Sequence, residues 1–229
     1  MWTRTLISAM ACFTLGAAAA AQSTRGVVRG VVGVRGDESA PASVAVSQHH
    51  DVCGTTVPNR HLEVNGGRVA NALVVLDYQG QADFGETTVT LENTGCNFQP
   101  SVQVAPPGAK LILRNGDPIS HTMMFEHDGH DLGTVKLEPD QQKKQGDALA
   151  LPGLLEVRCV AHDWMYAKVW VVPHPYYAIT KADGSFTVGL VPPGAYKLRV
   201  WHEELGVLEK DIIIQGNETV RANFTYDER

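Results

Sequence analysis

Between Arg158 and Met165 the chain reads Arg-Cys-Val-Ala-His-Asp-Trp-Met, which sets Cys159, His162 and Met165 at C-x-x-H-x-x-M spacing. A loop of this length can fold a thiolate, an imidazole and a thioether around one ion. Alternation along the segment before it places Leu155, Val157 and Cys159 on one face and Glu156 and Arg158 on the other, so the sulfur points inward. The fourth donor must come from elsewhere, and His121, after Asn115-Gly116-Asp117-Pro118-Ile119-Ser120, is the candidate. Ligand softness selects the ion: two imidazoles, one thiolate and a weak thioether are the His₂Cys-plus-Met set of mononuclear copper electron-transfer sites. Zinc accepts Cys and His, but a thioether would leave its tetrahedron incomplete. A binuclear copper centre would need a second Cys near Cys159, and multicopper oxidase chemistry would need paired H-x-H motifs; both are absent. A c-type haem would need C-x-x-C-H. The competing reading makes Cys159, His162 and Met165 ordinary core or loop residues.

Other candidates carry less. Met123, Met124, His127 and His130 follow His121 closely and could form a looser second copper site. The plainer reading puts both methionines on a strand and Glu126 to His130 in a solvated loop. His49, His50, Asp51 and His61 flank Cys53 and could bind metal, yet polar loop residues next to a disulfide explain them equally well. His174 marks a crossover between two prolines, and His202 packs at a domain junction. No Ser–His–Asp or paired-carboxylate pattern supports catalysis, so the chain reads as a non-enzyme.

The elements that must position these residues are strands. Residues 87–91, 101–105, 110–114, 154–159 and 167–172 are short β-branched or apolar runs, punctuated by Pro106-Pro107-Gly108, Asn115 to Pro118 and Leu151-Pro152-Gly153. Such a pattern argues for an all-β sandwich or barrel. Residues 139–149 could hold a turn or two of helix. After Pro175 a second β pattern begins. Ala182-Asp183-Gly184-Ser185 is a tight turn. Alternation then places Phe186, Val188 and Leu190 on one face, and Tyr196, Leu198 and Val200 on the next inward face.

Arg4, the apolar stretch Leu6 to Leu15 and the small residues Ala17 to Ala21 describe a secretory signal cut near Ala21, too short to span a bilayer. Cys12 leaves open a lipoprotein reading. No later stretch is long enough for a membrane span, so the mature protein is expected in the periplasm or secreted. Net charge is −6, and −7 once Arg4 is lost; with no basic block or basic helix, nucleic acid is not an expected partner. Cys53, Cys96 and Cys159 remain after cleavage, an odd number for an oxidising compartment. Cys53 and Cys96 either pair or stay as free thiols. Cys159 is left over, and a metal would account for it.

Two resemblances add to this. Thr180-x-x-Asp183-Gly184-x-Phe186 and Val191-Pro192-Pro193-Gly194-x-Tyr196-x-Leu198 resemble the carboxypeptidase regulatory-like, transthyretin-type β-sandwich. The family's opening strands have counterparts far upstream, in Gly26 to Val32 and Asn71 to Leu76. The resemblance implies a nested arrangement: a signal at 1–21, a sandwich from 22–84 and 175–229, and another domain at 85–174 inserted in it. Three consecutive pieces are the alternative. No peptidase activity comes with that accessory module.

The middle segment resembles cupredoxins, most of all amicyanin and plastocyanin, over about residues 88–172. Val102-x-Val104, Pro106-Pro107-Gly108, Leu111 to Asn115, Asp117-x-x-x-His121 and Cys159-x-x-His162-x-x-Met165 stand in the family's order. The whole chain is similar to exported methylamine-utilisation-like proteins. By this resemblance the fold is a Greek-key sandwich holding one copper ion, with His121, Cys159 and His162 equatorial and Met165 axial. Electrons would pass to a protein redox partner through an exposed ligand edge, that of His162. Thr122 and Val160 stand where many members have Asn and Ser or Thr, and Ala161 where Pro is common, so the surroundings of the ligands are altered. Two other functions stay open. One is copper storage or delivery, motivated by residues 121–130. The other is an interaction module with a structural copper, motivated by the accessory sandwich.

Overall fold

The computed structural model describes residues 25–36 and 43–227. The signal-peptide reading and Cys12 lie outside them. The fold is all-β, as expected; the segment at 139–149 holds a single 3₁₀ turn, Asp147–Leu149. Among the described residues no helix is long and apolar enough to cross a membrane.

Two hydrophobic cores organise the strands. Around the first, a five-stranded sheet runs in the order His130–Leu137, His121–His127, Gly153–Cys159, Tyr166–Val171, Val102–Ala105. A four-stranded sheet runs Gln142–Gln145, Lys110–Asn115, Thr88–Thr94, Asn97–Gln99. Period-two alternation supplies the filling: Leu91, Leu111 and Leu113 from one sheet, Phe125, Leu155, Val157 and Val169 from the other, all fully buried. Leu155, Val157 and Cys159 point inward while Arg158 is exposed, as the alternation requires.

The second core draws on both ends of the chain. Gly26–Val34 pairs with Ser185–Val191 and with the two last strands, Thr219–Arg221 and Phe224–Tyr226. Leu73–Leu76 lies between Tyr177–Ile179 and Gly194–His202. The last strand before the middle segment and the first strand after it are therefore paired neighbours, Val75 opposite Tyr177. Gly30 is required where the first strand is crowded: a Cβ there would lie 1.9 Å from the Ala222 carbonyl oxygen.

Two departures from the sequence reading are physical. Leu190 does not join Phe186 and Val188 inside; it is 69% exposed, and Val191 is buried in its place. The pairing with Gly26–Val34 shifts register there and Leu190 adopts a φ of 57°, so an irregularity of the β-bulge kind turns the alternation over. The range 22–84 does not all belong to the second core either. Val46 and Val57 pack into the first, with Val44, Val52 and Cys53 against it. Residues 43–58 are pinned there by the Cys53–Cys96 disulfide.

The two cores meet along the outer face of Tyr166–Val171. Lys168, 6% exposed, pairs with Glu156 and with Glu203 at 3.5 Å, so its buried charge is compensated. The His61 ring packs on Tyr166, and Trp170 meets Trp201 edge-on at 5.0 Å.

Because Val28, Val32, Val74 and Leu76 complete the second core, an isolated fragment of residues 175–229 should show no cooperative unfolding and no dispersed amide spectrum. A stable, folded fragment would overturn this dependence.

Candidate metal centre

His121 opens the strand His121–His127, Cys159 ends the strand Gly153–Cys159, and the two strands pair antiparallel, Met123 opposite Cys159. The Val160 N–H donates to the Thr122 carbonyl at 2.8 Å, which ties the two strand ends that carry His121 and Cys159 together. The loop after Cys159 is closed by its own backbone: Met165 N–H donates to the His162 carbonyl and Cys159 N–H to the Met165 carbonyl, each at 3.0 Å. These bonds fold His162 back over the sulfur. Met165 sits at the closing end, 1% exposed and buried in the same core as Cys159.

Three donor atoms converge. The Cys159 sulfur lies 3.4 Å from His162 Nδ1 and 3.7 Å from His121 Nδ1, and the two nitrogens are 3.1 Å apart. Both histidines are fully buried and Cys159 is 5% exposed. Donors ~2.0–2.3 Å from a shared ion and spread evenly about it would stand roughly 3.5–3.8 Å apart. The observed triangle is close to that, so the residues fit a single ion.

Each imidazole is held from behind. Asp117 Oδ2 accepts from His121 Nε2 at 3.0 Å, leaving Nδ1 to face the centre. Asp117 is placed by Asn115, whose Oδ1 accepts from the Asp117 N–H, while its Nδ2 donates to the Ile119 and Leu137 carbonyls. The carboxylate also accepts from the Cys96 N–H at 3.1 Å. The turn 115–121 is therefore a hydrogen-bonded bracket, a role that its composition alone did not disclose. On the other side, His162 Nε2 lies 2.9 Å from His49 Nδ1. Trp164 packs against His162 with the rings tilted and their centres 5.0 Å apart, and its Nε1 donates to the Cys96 carbonyl.

The reading of His162 as an exposed edge is corrected here: its exposure is zero, because residues 43–58 lie over it. His49 was read as either a metal donor or a polar loop residue, and no spacing in the sequence joins it to His162. The only signal was its place four residues before Cys53.

The site is electrostatically primed. Burial opposes charge on His121, but the Asp117 carboxylate and the Cys159 sulfur outweigh it and raise its pKa to about 9. Burial would raise the Cys159 thiol; His121 and the Ala161 and His162 backbone N–H groups bring it below its ordinary value. His162 is pushed down to about 4 by burial and by the charge of its neighbour His121. Without metal, the site thus holds a proton on His121 against an acidified thiol, and His162 stays neutral.

The other candidates do not assemble. Met123 is fully buried in the core. His127 Nε2 faces the Leu151 carbonyl and His130 Nδ1 the Asp128 carbonyl, so neither turns to a shared ion. His61, Glu203 and Glu204 cluster at the junction, but Lys168 already supplies the cation there. His174 is buried and accepts from the Tyr176 N–H, and His202 is buried among the junction strands.

No family model and no curated protein matches the chain. Similar solved structures are partial likenesses. A copper-containing nitrite reductase from Thermus scotoductus SA-01 has a TM-score of 0.34 at 19% identity over 43% of this chain. The chain spans 25% of that protein's length. Amicyanin from Paracoccus versutus has a TM-score of 0.33 at 15% identity, over 43% of this chain and 97% of its own. A purple cupredoxin from Nitrosopumilus maritimus has a TM-score of 0.32 at 18% identity, over 38% of this chain and all of its own.

A pH dependence follows from the Asp117–His121 pair. The raised His121 pKa contributes stability that is complete below the ordinary 6.5 and lost as pH climbs through about 9. The lowered Cys159 pKa works in the opposite sense in the alkaline part of that window, so the pair is read by difference. Metal-free wild type should exceed Asp117→Asn in urea-unfolding stability most at pH 6.5, the margin narrowing toward pH 9. A margin independent of pH would refute the coupling.

Proposed function

We propose that this chain is an exported mononuclear copper protein that passes single electrons to or from a protein partner, and that it is not an enzyme. The observation that carries this reading is the buried convergence of His121 Nδ1, His162 Nδ1 and Cys159 Sγ, with both outer imidazole nitrogens already engaged. Met165, buried beside Cys159, is the fourth ligand in this reading. Copper is favoured over zinc by the donor set. No further His, Cys, Asp or Glu atom joins the three among the described residues, which leaves a thioether to complete the shell.

Bound copper would supply a one-electron couple. The chain's own part is to hold the donors still. Asp117 and His49 fix the ring planes, the Met165–His162 and Cys159–Met165 backbone bonds fix the loop, and burial keeps water from the thiolate. Held this way, the donors need little rearrangement when the charge at the centre changes by one.

Residues 85–174 form the copper domain in this reading, with 43–58 laid against it. The remainder of 22–84 and residues 175–229 form a carboxypeptidase regulatory-like sandwich available for protein contacts. Its motif residues support that assignment by meeting in one core: Val28, Val32, Val74, Leu76, Phe186 and Leu198. The Cys53–Cys96 disulfide and the amino-terminal sequence support export to an oxidising compartment, the periplasm or beyond.

Copper(II)-loaded wild type should show an intense visible thiolate-to-copper absorption and cycle reversibly by one electron. Cys159→Ser should lose the colour while keeping the fold by circular dichroism. A colourless copper complex of the wild type would defeat the reading.

A further inference from the structure

The segment 43–58 leaves one sandwich, crosses the metal-site end of the other and returns. It is anchored at three kinds of point. Val46 and Val57 are buried in the first core, Ser43–Ala45 pairs with Thr56–Pro58, and Cys53 is bonded to Cys96. Between the anchors the chain makes a tight reversal. His49 takes φ 57° and ψ 41°, a conformation in which L-residues are uncommon. It is held there by its own carbonyl, which accepts from Val52 N–H at 3.0 Å and Cys53 N–H at 2.8 Å. His50 Nε2 bonds the Val46 carbonyl at 2.8 Å. The reversal aims the His49 ring edge-on at His162, ring centres 5.0 Å apart.

The partner of Cys53 matters equally. Cys96 donates its N–H to Asp117, the residue behind His121, and accepts on its carbonyl from Trp164, the residue packed against His162. One covalent tie thus reaches the outer nitrogens of both ligand histidines, through His49 on one side and through Cys96 and Asp117 on the other. His49 is exposed whereas His162 is not.

We propose that residues 43–58 are a disulfide-tied strap whose His49 is a positioning residue for the metal, accepting the His162 Nε2 proton and closing the solvent route to that ligand. The inference rests on the copper reading above and deepens it. With Nε2–H donated to His49, the His162 Nδ1 lone pair is committed to the centre. The ligand cannot swing out without breaking that bond and displacing the strap. The group that meets solvent or a partner at this end of the site is His49 in place of the ligand itself.

The test compares three proteins loaded with one equivalent of copper(I): wild type, His49→Phe with the disulfide intact, and Cys53→Ala/Cys96→Ala. Release of copper to a chromophoric chelator should be about 10–100-fold faster in both variants, the usual range for loss of an outer partner of a metal ligand. An unchanged rate in His49→Phe overturns the positioning role, and an unchanged rate in the double variant overturns the tie. Wild type alone gives an independent readout by nitrogen-15 NMR of the histidine rings, with copper(I) and metal-free. His162 should carry a slowly exchanging proton on Nε2 in both forms; a proton on Nδ1, or fast exchange at Nε2, overturns the proposal even if a variant fails to fold. Failure of the copper reading is distinct: the wild type would then show no visible copper(II) band, while the metal-free ring spectrum still decides the role of His49.

Discussion

Three buried donor atoms that turn their lone pairs toward one another repel unless a proton or a cation lies among them, and the rest of this structure serves that arrangement. His121, His162 and Cys159 face a common centre from three directions with almost no access for water. In such surroundings an unpaired polar group is costly, so each outer atom must also be satisfied. Asp117 and His49 do this for the two rings, and backbone N–H groups do it for the sulfur. The orientation of the donors is therefore set by the groups behind them as much as by the loops that carry them.

Holding the groups behind His121 and His162 is the task of the framework. The Asn115–Asp117 bracket hangs from the end of Lys110–Asn115, a strand central to its sheet. His49 sits in the reversal between the paired strands Ser43–Ala45 and Thr56–Pro58, and depends on them, on Val46 and Val57, and on the disulfide. The 43-residue separation of Cys53 and Cys96 removes about 4 kcal/mol of chain entropy from the unfolded state by the loop-closure account. The tie joins the short segment that carries His49 to the buried Cys96 of the first core. The second sandwich contributes at a distance. It starts and ends the strap, and it seats the strand Tyr166–Val171 through Lys168 and the Trp170–Trp201 contact.

Much of this was legible residue by residue. The inward side of Leu155, Val157 and Cys159 followed from a period of two, since Glu156 and Arg158 could not share a core with them. Counting three cysteines after the expected signal left one thiol over, and the Cys53–Cys96 disulfide makes that one Cys159. Leu190 was misread for the same reason that Leu155 was read well. Alternation holds only while the register is unbroken, and the shift opposite Gly26–Val28 breaks it. The sequence reading of His162 as an open edge erred because solvent exposure depends on what crosses over a loop from elsewhere in the chain.

By itself, then, the sequence determined the local facts: strands from alternation, turns from Pro and Gly, a leftover thiol, and a Cys and a His spaced along one loop so that both reach a common centre. Those features arise between neighbours, over a few residues, where spacing translates into geometry. The fold alone decided that Asp117 stands behind His121, that Cys96 joins Asp117 to the strap, and that His49 covers a histidine 113 positions away. Hydrogen bonds between such distant residues leave no periodic trace, because only the packing of two cores brings their partners within reach.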